Sequence, residues 1–428
     1  MLRPMPAKYG IGFTSPEPVA PDLVEGYRYE QTGNHHNYFV TPQRWDWPER
    51  FDFGSVAPVI DGFSPNLNKQ LHVGHLRNLA LANSLSRILK NAKFVSLLGC
   101  SLGVRFAALE GWKYWTEFLG FQPEVYYDCA LPDDLIPTRE PTVAEVESDL
   151  IDPNEGDDLT LPELWDGPNG PVIVKRSDKR PLYAYHDLAF AQIVGPDHYI
   201  TGEEQKIHFA SLGLGDKHLP MGLVLGLDGK KMKSREGDVL LATEAVQMVK
   251  EHLRQTQHAD QLAWNILAWN FLHTARKSNL KFEAEKWTQP DSPGMYISYT
   301  YARTWNALEE AVPLRNPIPI GPFYGFDPDY LKILKRSGST VDTEITEIDL
   351  DLLGLSEQYI FYYQQAIERL DPAPVANYAH DLARLIGVAY ERERIQEGRP
   401  VFQRAMAHAI WRLEHCLQDL GMFKLQTV

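Results

Sequence analysis

The chain has 428 residues, with 57 acidic against 42 basic side chains and a net charge of −15. Its hydrophobic content of 44% and charged content of 23% are those of a soluble globular protein large enough for two or three domains. No apolar run approaches the roughly 18 residues that a membrane helix needs, and the N-terminus MLRPMPAKYGIGF lacks the apolar core of a secretory signal. The acidic balance excludes a uniformly basic nucleic-acid coat, so any RNA-binding face must be a local patch. Much of the excess is itself local: between Leu131 and Asp166 stand twelve acidic residues and one basic residue, Arg139. Cys100, Cys129 and Cys416 are scattered, with no CxxC pair. This usage predicts a reducing cytoplasm and no structural metal site.

Residues 1–50 are rich in Pro, Tyr and Asn with weak periodicity, and are expected to form an irregular extension. The apolar run Ser55–Asp61 predicts a buried strand, and GFSPNLNKQ after it a loop. From His72 the pattern turns helical, with Leu81, Leu85 and Ile88 on one stripe. The stretch 131–170 is expected to be an acidic insertion. Strand signals return at Pro171–Lys175, His198–Thr201 and Gly222–Leu227, separated by helix-like segments, which argues for a parallel sheet.

After about residue 240 helices dominate. Segments 261–273 and 296–311 are helical candidates, and the Pro-rich PLRNPIPIGPFYGFDP reads as a linker. Two apolar stripes follow: Val375, Tyr378, Ala379, Leu382, Ile386 and Ala389, then Phe402, Met406, Ile410, Leu413, Leu417 and Leu420. Both read as core. The expected architecture is α/β: a Rossmann-type parallel-sheet catalytic domain over 51–240, a helical connecting region over 241–315 and an all-α helical bundle over 316–428.

Two strings carry chemistry. His72-Val73-Gly74-His75 stands at a strand-to-helix junction, the edge of an α/β sheet where ligands bind. Histidines at a helix N-terminus can donate to phosphate oxygens, aided by the helix dipole, and Gly74 leaves room for a base. A metal pair lacks a nearby third ligand, and plain capping histidines remain open. The second string runs from Gly226 to Asp238 and holds Lys230, Lys231, Met232, Lys233 and Ser234. Such a Gly- and Lys-rich loop can close on a triphosphate, although a solvated turn is the common fate of a basic loop. The Walker pattern GxxxxGK[ST] does not occur.

Together the strings resemble the class I aminoacyl-tRNA synthetases: HVGH matches their "HIGH" element and KMKSR a degenerate "KMSKS" loop. The run Asp61-Gly-Phe-Ser64-Pro-Asn66-Leu-Asn-Lys69-Gln-Leu-His72-Val-Gly-His75-Leu-Arg77 is similar to that of arginyl-tRNA synthetases. In that family a lysine three residues before HxGH is thought to replace the second lysine of the loop. Lys69 and Ser234 stand at those two places. Tyr183-Ala-Tyr-His-Asp187 resembles the family's YxxxD segment, which contacts the substrate guanidinium. A carboxylate and a flat aromatic face suit a planar cation. Gln205 lies where the family has a polar substrate contact, and His208 matches the histidine of the family's QxxHF-like string. SYTYARTWNAL, with Tyr301 and Arg303, resembles a "YAHAR"-type helix, and Val375–Met422 the helical anticodon-binding domain.

The resemblance implies ATP-dependent activation of arginine and its transfer to the 3′ end of tRNA(Arg) by a compact cytoplasmic enzyme, expected as a monomer, with Mg²⁺ accompanying ATP and no metal held by the protein. Catalysis falls to Lys69, His72, His75, Lys231 and Lys233. ATP falls to His72, Gly74, His75, Lys230, Lys231, Met232 and Ser234. Asp61, Ser64, Asn66, Tyr183, Asp187 and Gln205 take the amino acid. Two features depart from the family. LLGCSLGVRFAALEGW stands where a GDWG-type string is usual, and about fifty dissimilar residues stand where an N-terminal tRNA-binding domain is usual. Two alternatives therefore stay open: transfer of activated arginine or an analogue to a non-tRNA acceptor, and a non-catalytic RNA-binding protein on the same scaffold.

Overall fold

The computed structural model describes residues 3–4, 12–15, 27–40, 57–142, 145, 161–226, 228–230, 239–253, 257–311 and 346–428. The chain divides into two compact units, one of Val56–Ala245 with Arg276–Phe282, the other of Met1–Ser55, Val246–Ala275 and Glu283–Val428. The Pro-rich stretch 313–328 lies outside the described residues, as do Lys231, Met232, Lys233 and Ser234.

Residues 1–50, expected to be irregular, contain a four-stranded antiparallel sheet. Its strands are β1 (Arg3–Pro4), β2 (Gly12–Ser15), β3 (Tyr27–Thr32) and β4 (His35–Val40), in the order β1-β2-β4-β3. The overlooked signal is Gly33-Asn34. Thr32 pairs with His35 across a two-residue turn, and Gly33 adopts the positive φ of 60° that such a turn favours.

The first unit is built on β5 (Val59–Asp61), α1 (Val73–Ile88), β6 (Lys93–Leu98), α2 (Phe106–Leu119) and β7 (Glu124–Tyr127). A hairpin follows, β8 (Glu163–Gly167) and β9 (Gly170–Lys175). Then come α3 (Tyr183–Ile193), β10 (His198–Gly202), α4 (Lys206–Ser211), β11 (His218–Met221) and β12 (Val224–Leu225). The main sheet is parallel throughout, in the order β11-β10-β5-β6-β7. Chain order therefore runs outward from β5 in one direction and from β10 in the other. The crevice between their carboxyl ends is the topological switch point, where an open α/β sheet binds ligands.

Two strands expected in this sheet lie elsewhere. Pro171–Lys175 belongs to β9 and pairs antiparallel with β8, because Gly167 and Gly170 close a tight hairpin. Within Gly222–Leu227 only Val224–Leu225 is strand, and it pairs with β13 (Leu280–Lys281). The fifth main strand is instead His218–Met221, which the sequence hides because Pro220 breaks the pattern. Proline is tolerated there because β11 is an edge. In the acidic stretch, the one basic residue is fully used. The Arg139 guanidinium donates to Glu145 at 2.7 and 2.8 Å, and its Nε donates to Asp166 at 2.9 Å.

Helix α1 has buried residues all round, including Leu76, Leu79, Ala80, Ala82, Leu85 and Ile88, so it is a central element rather than a surface one. Arg77 is fully buried on it, and donates to the Gly222 carbonyl at 2.7 Å. This bond ties the helix to the chain after β11.

The second unit contains α5 (Ala242–Glu251, which starts in the first unit), α6 (Ala259–Leu272), α7 (Ala284–Trp287) and α8 (Pro293–Ala311). It continues with α9 (Glu347–Glu357), α10 (Tyr359–Arg369), α11 (Ala373–Arg392) and α12 (Pro400–Asp419). Both apolar stripes are buried, as their spacing predicts, with Val375 through Ala389 on α11 and Phe402 through Leu420 on and just past α12. Among the described residues no helix is long and apolar enough to cross a membrane.

Candidate active site

The switch point opens into a cleft of about 1370 Å³ lined by Asp61, Ser64, Asn66, Lys69, His72, Gly74, His75, Tyr183, Asp187 and Gln205. Every amino-acid-binding residue expected from the sequence is thus on one cleft, together with the HVGH residues and Lys69. Lys230 is not on the cleft lining, and its backbone N–H donates to the Asp228 carboxylate at 2.9 Å.

His72 caps α1. Its Nδ1 accepts the Gly74 N–H at 3.1 Å, while the His75 Nδ1 accepts the His72 N–H at 3.1 Å. This is a capping box written in histidine, and the two rings stack with centroids 3.9 Å apart. Because each Nδ1 accepts, each ring carries its hydrogen on Nε2, and both present a donor of fixed tautomer. Burial first, then the charges of His72 and Lys69, hold the His75 pKa well below the ordinary value, so His75 is neutral at pH 7. Nε2–H donors at a helix N-terminus can meet phosphate oxygens, aided by the helix dipole.

The chain that follows the basic loop is laid against the same motif. The Val73 N–H donates to the Leu240 carbonyl at 3.0 Å and the Ala242 N–H to the Leu71 carbonyl at 2.9 Å. His72 and Leu241 form the antiparallel bridge between these bonds.

Asp61 ends β5 and is buried. Its Oδ1 accepts the Ser64 hydroxyl at 2.5 Å. Burial foremost, with the nearby Asp187 charge, pushes its pKa up to about 7 against that hydrogen bond. The loop after Asp61 is locked from two sides. Phe63, at a positive φ of 59°, donates its N–H to Asn78 Oδ1 at 2.7 Å, and Asn78 Nδ2 donates to the Ile200 carbonyl on β10 at 2.8 Å. Asn66 bridges to Gly99 past the end of β6, where Leu67 N–H reaches the Gly99 carbonyl at 2.7 Å. A Cβ on residue 99 would come within 1.9 Å of Asn66 Oδ1, so this approach requires glycine.

Tyr183 and Asp187 come from the first turns of α3. Asp187 Oδ2 lies 2.7 Å from His208 Nε2 on α4, which gives His208 a defined place beside the carboxylate. Burial raises the Tyr183 hydroxyl above its ordinary pKa, and the Asp128 charge adds to this.

Three features of the cleft escaped the sequence reading. Asp128 also lines it. Buried just beyond β7, its carboxylate accepts N–H bonds from Cys100 and Ser101 at 2.7 and 2.8 Å and the Ser101 hydroxyl at 2.8 Å. An aspartate at the end of a strand was the available signal, as it was for Asp61. His186 lines the cleft with both ring nitrogens covered and without hydrogen-bond partners among the described residues. Cys100 and Cys129, read as scattered thiols, are joined in a disulfide, because β6 and β7 are neighbours and end side by side. With Asp128 they form a group of donor atoms close enough to hold a metal ion, but the two sulfurs are bonded to each other.

No protein-family model matches the chain. Among curated proteins it is similar to arginine–tRNA ligase 1 of Bacillus cereus, 29% identical over 224 residues that cover 45% of this chain and 38% of the relative. It is also similar to arginine–tRNA ligase of Exiguobacterium sibiricum, 25% identical over 281 residues, covering 59% and 46%. The chain thus spans less than half the length of these relatives. Among solved structures, Thermus thermophilus arginyl-tRNA synthetase shares the fold with a TM-score of 0.58 at 15% identity, over 96% of this chain and 90% of that one. In sequence over its matched part and in fold over nearly its whole length, the chain resembles the arginyl-tRNA synthetases, with a Rossmann-type core and a helical C-terminal region.

Proposed function

We propose that the cleft activates arginine with ATP and passes it to the terminal ribose of tRNA(Arg). One observation carries the reading: two carboxylates and a tyrosine suited to a guanidinium and an ammonium, Asp61, Asp187 and Tyr183, share one cleft with two stacked histidines at a helix N-terminus. A substrate carboxylate oxygen bonds to the α-phosphorus of ATP, and the bond to pyrophosphate breaks. Negative charge grows on the phosphate oxygens, and the Nε2–H groups of His72 and His75 stabilise it. Lys69 adds positive charge at the same end, as do Lys231 and Lys233 of the basic stretch; Gly74, Met232 and Ser234 complete the ATP contacts. Mg²⁺ enters as the counter-ion of ATP. Ser64, Asn66 and Gln205 supply polar contacts to the amino acid. In the second step a ribose hydroxyl attacks the adenylate carbonyl and AMP leaves.

The test is arginine-dependent AMP release with and without bulk tRNA, together with acid-precipitable arginine. Release that requires tRNA, with charged product, is the expected result. AMP release without charged tRNA rejects the acceptor, and no arginine dependence rejects the amino acid. Asp187→Ala is expected to raise the arginine KM by 100-fold or more, by roughly the 3 kcal/mol of a lost charge-assisted pair.

A further inference from the structure

The disulfide sits where a change of redox state reaches the cleft. Cys100 follows Gly99, whose backbone holds the Asn66 loop, and Cys129 follows Asp128, which lines the cleft. The bridge spans 29 residues of sequence with Cα atoms 5.7 Å apart. Cys100 is buried, while Cys129 is exposed as a residue. β7 is an edge strand held by a ladder on one side only, so its end depends on this cross-link more than an inner strand would. Asp128 and Tyr183 line the same cleft.

We propose that the Cys100–Cys129 bridge is a redox-sensitive clamp on the amino-acid end of the cleft: closed, it holds Asp128 and the Ser64–Asn66 loop in their binding positions, and opened, it releases both. Its effect on arginine rests on the function proposed above. Opening needs a dithiol reductant. One of its thiolates attacks Cys129 Sγ, the sulfur–sulfur bond breaks, and the Cys100 thiolate leaves and takes up a proton. The reductant's second thiolate then displaces Cys129, which is protonated in turn. The protein disulfide gains two electrons and the reductant becomes a cyclic disulfide.

Three measurements test the clamp. Alkylation under denaturing conditions should label one thiol per chain, Cys416, before reduction and three after it. Three labelled thiols in protein kept under air would overturn the bridge. Hydrogen exchange should then quicken roughly tenfold at the amides of Leu67, Leu97, Gly99 and Cys100 when the native protein is reduced. The exposed-site variant Cys129→Ser should exchange at the fast rate in either condition. If reduction leaves these amides unchanged, the clamp fails whatever the activity. Finally, reduction should raise the arginine KM roughly fivefold or more, with Cys129→Ser fixed at the reduced value. Equal KM values in the two redox forms sink the control of arginine binding. If exchange responds but neither form turns over arginine, the proposed function fails and the clamp stands.

Discussion

Tyr199 on β10 stands in register with Asp61 on β5, and its buried hydroxyl has no hydrogen-bond partner among the described residues. Burial raises its pKa first, and the charges of Asp61 and Asp187 raise it further. A buried hydroxyl thus lies behind two carboxylates of the cleft wall, the buried Asp61 and the partly exposed Asp187. The apo protein keeps a buried carboxyl at Asp61 that a bound cation would relieve.

Tyr199→Phe removes an unpartnered buried hydroxyl at almost constant volume. It is expected to leave stability unchanged or raise it by about 1 kcal/mol, read as the urea midpoint at constant m-value. A loss larger than this shows that the hydroxyl has a partner in solution.

Asp61 gives a pH signature. A bound cation favours its charged form, so arginine binding near pH 7 should release a proton and tighten as pH rises from 6 to 8. Calorimetry in buffers of differing ionisation enthalpy reads this directly, and zero proton release at pH 7 contradicts it. The same group acts on stability. Its folded value of about 7 lies above the ordinary value of 3.8, so its contribution is fully present below pH 4 and is lost as pH rises through 7. Asp61→Asn should therefore stabilise the apo protein at pH 8, on the order of 3 kcal/mol, and little at pH 4.

Gly99→Ala places a methyl group on the Asn66 side chain. Asn66 must move, with a stability cost of about 1–3 kcal/mol and a higher arginine KM. The ATP KM should stay within a factor of about three, since the HVGH residues lie on another part of the cleft wall. A shift in the ATP KM alone would contradict this placement.

Arg77→Ala tests the anchor of α1. It removes the bond to the Gly222 carbonyl and empties a buried site, with an expected loss of roughly 3 kcal/mol by thermal or urea unfolding. A variant of wild-type stability would mean that this helix is held by other contacts.

The cleft was largely legible in the sequence because its residues sit next to strand ends and a helix start, where short strings determine local geometry. Asp61, His72 and Tyr183 each occupy such a position. The partners that come from distant strands were not legible. Tyr199 meets Asp61 only through strand order, and Cys129 meets Cys100 only because β6 and β7 pair. Neither relation leaves a pattern along the chain. The sheet itself was only partly legible. Pro220 concealed β11, and the apolar run in β9 gave no sign that its partner would be an antiparallel neighbour. In the N-terminal stretch the turn Gly33-Asn34 was the one clear signal, amid residues of weak alternation.

The bonds of Leu71 and Val73 to Ala242 and Leu240 also bear on how this chain can change length. The chain returns after Lys230 to a fixed landing point on the HVGH turn. Residues added between 230 and 239 would lengthen the basic stretch and leave that landing point where it is. One residue added between Leu240 and Ala242 would break the bridge at His72 and tug on the histidines themselves. The two motifs therefore tolerate drift in the loop between their anchors, but almost none in the three residues that dock.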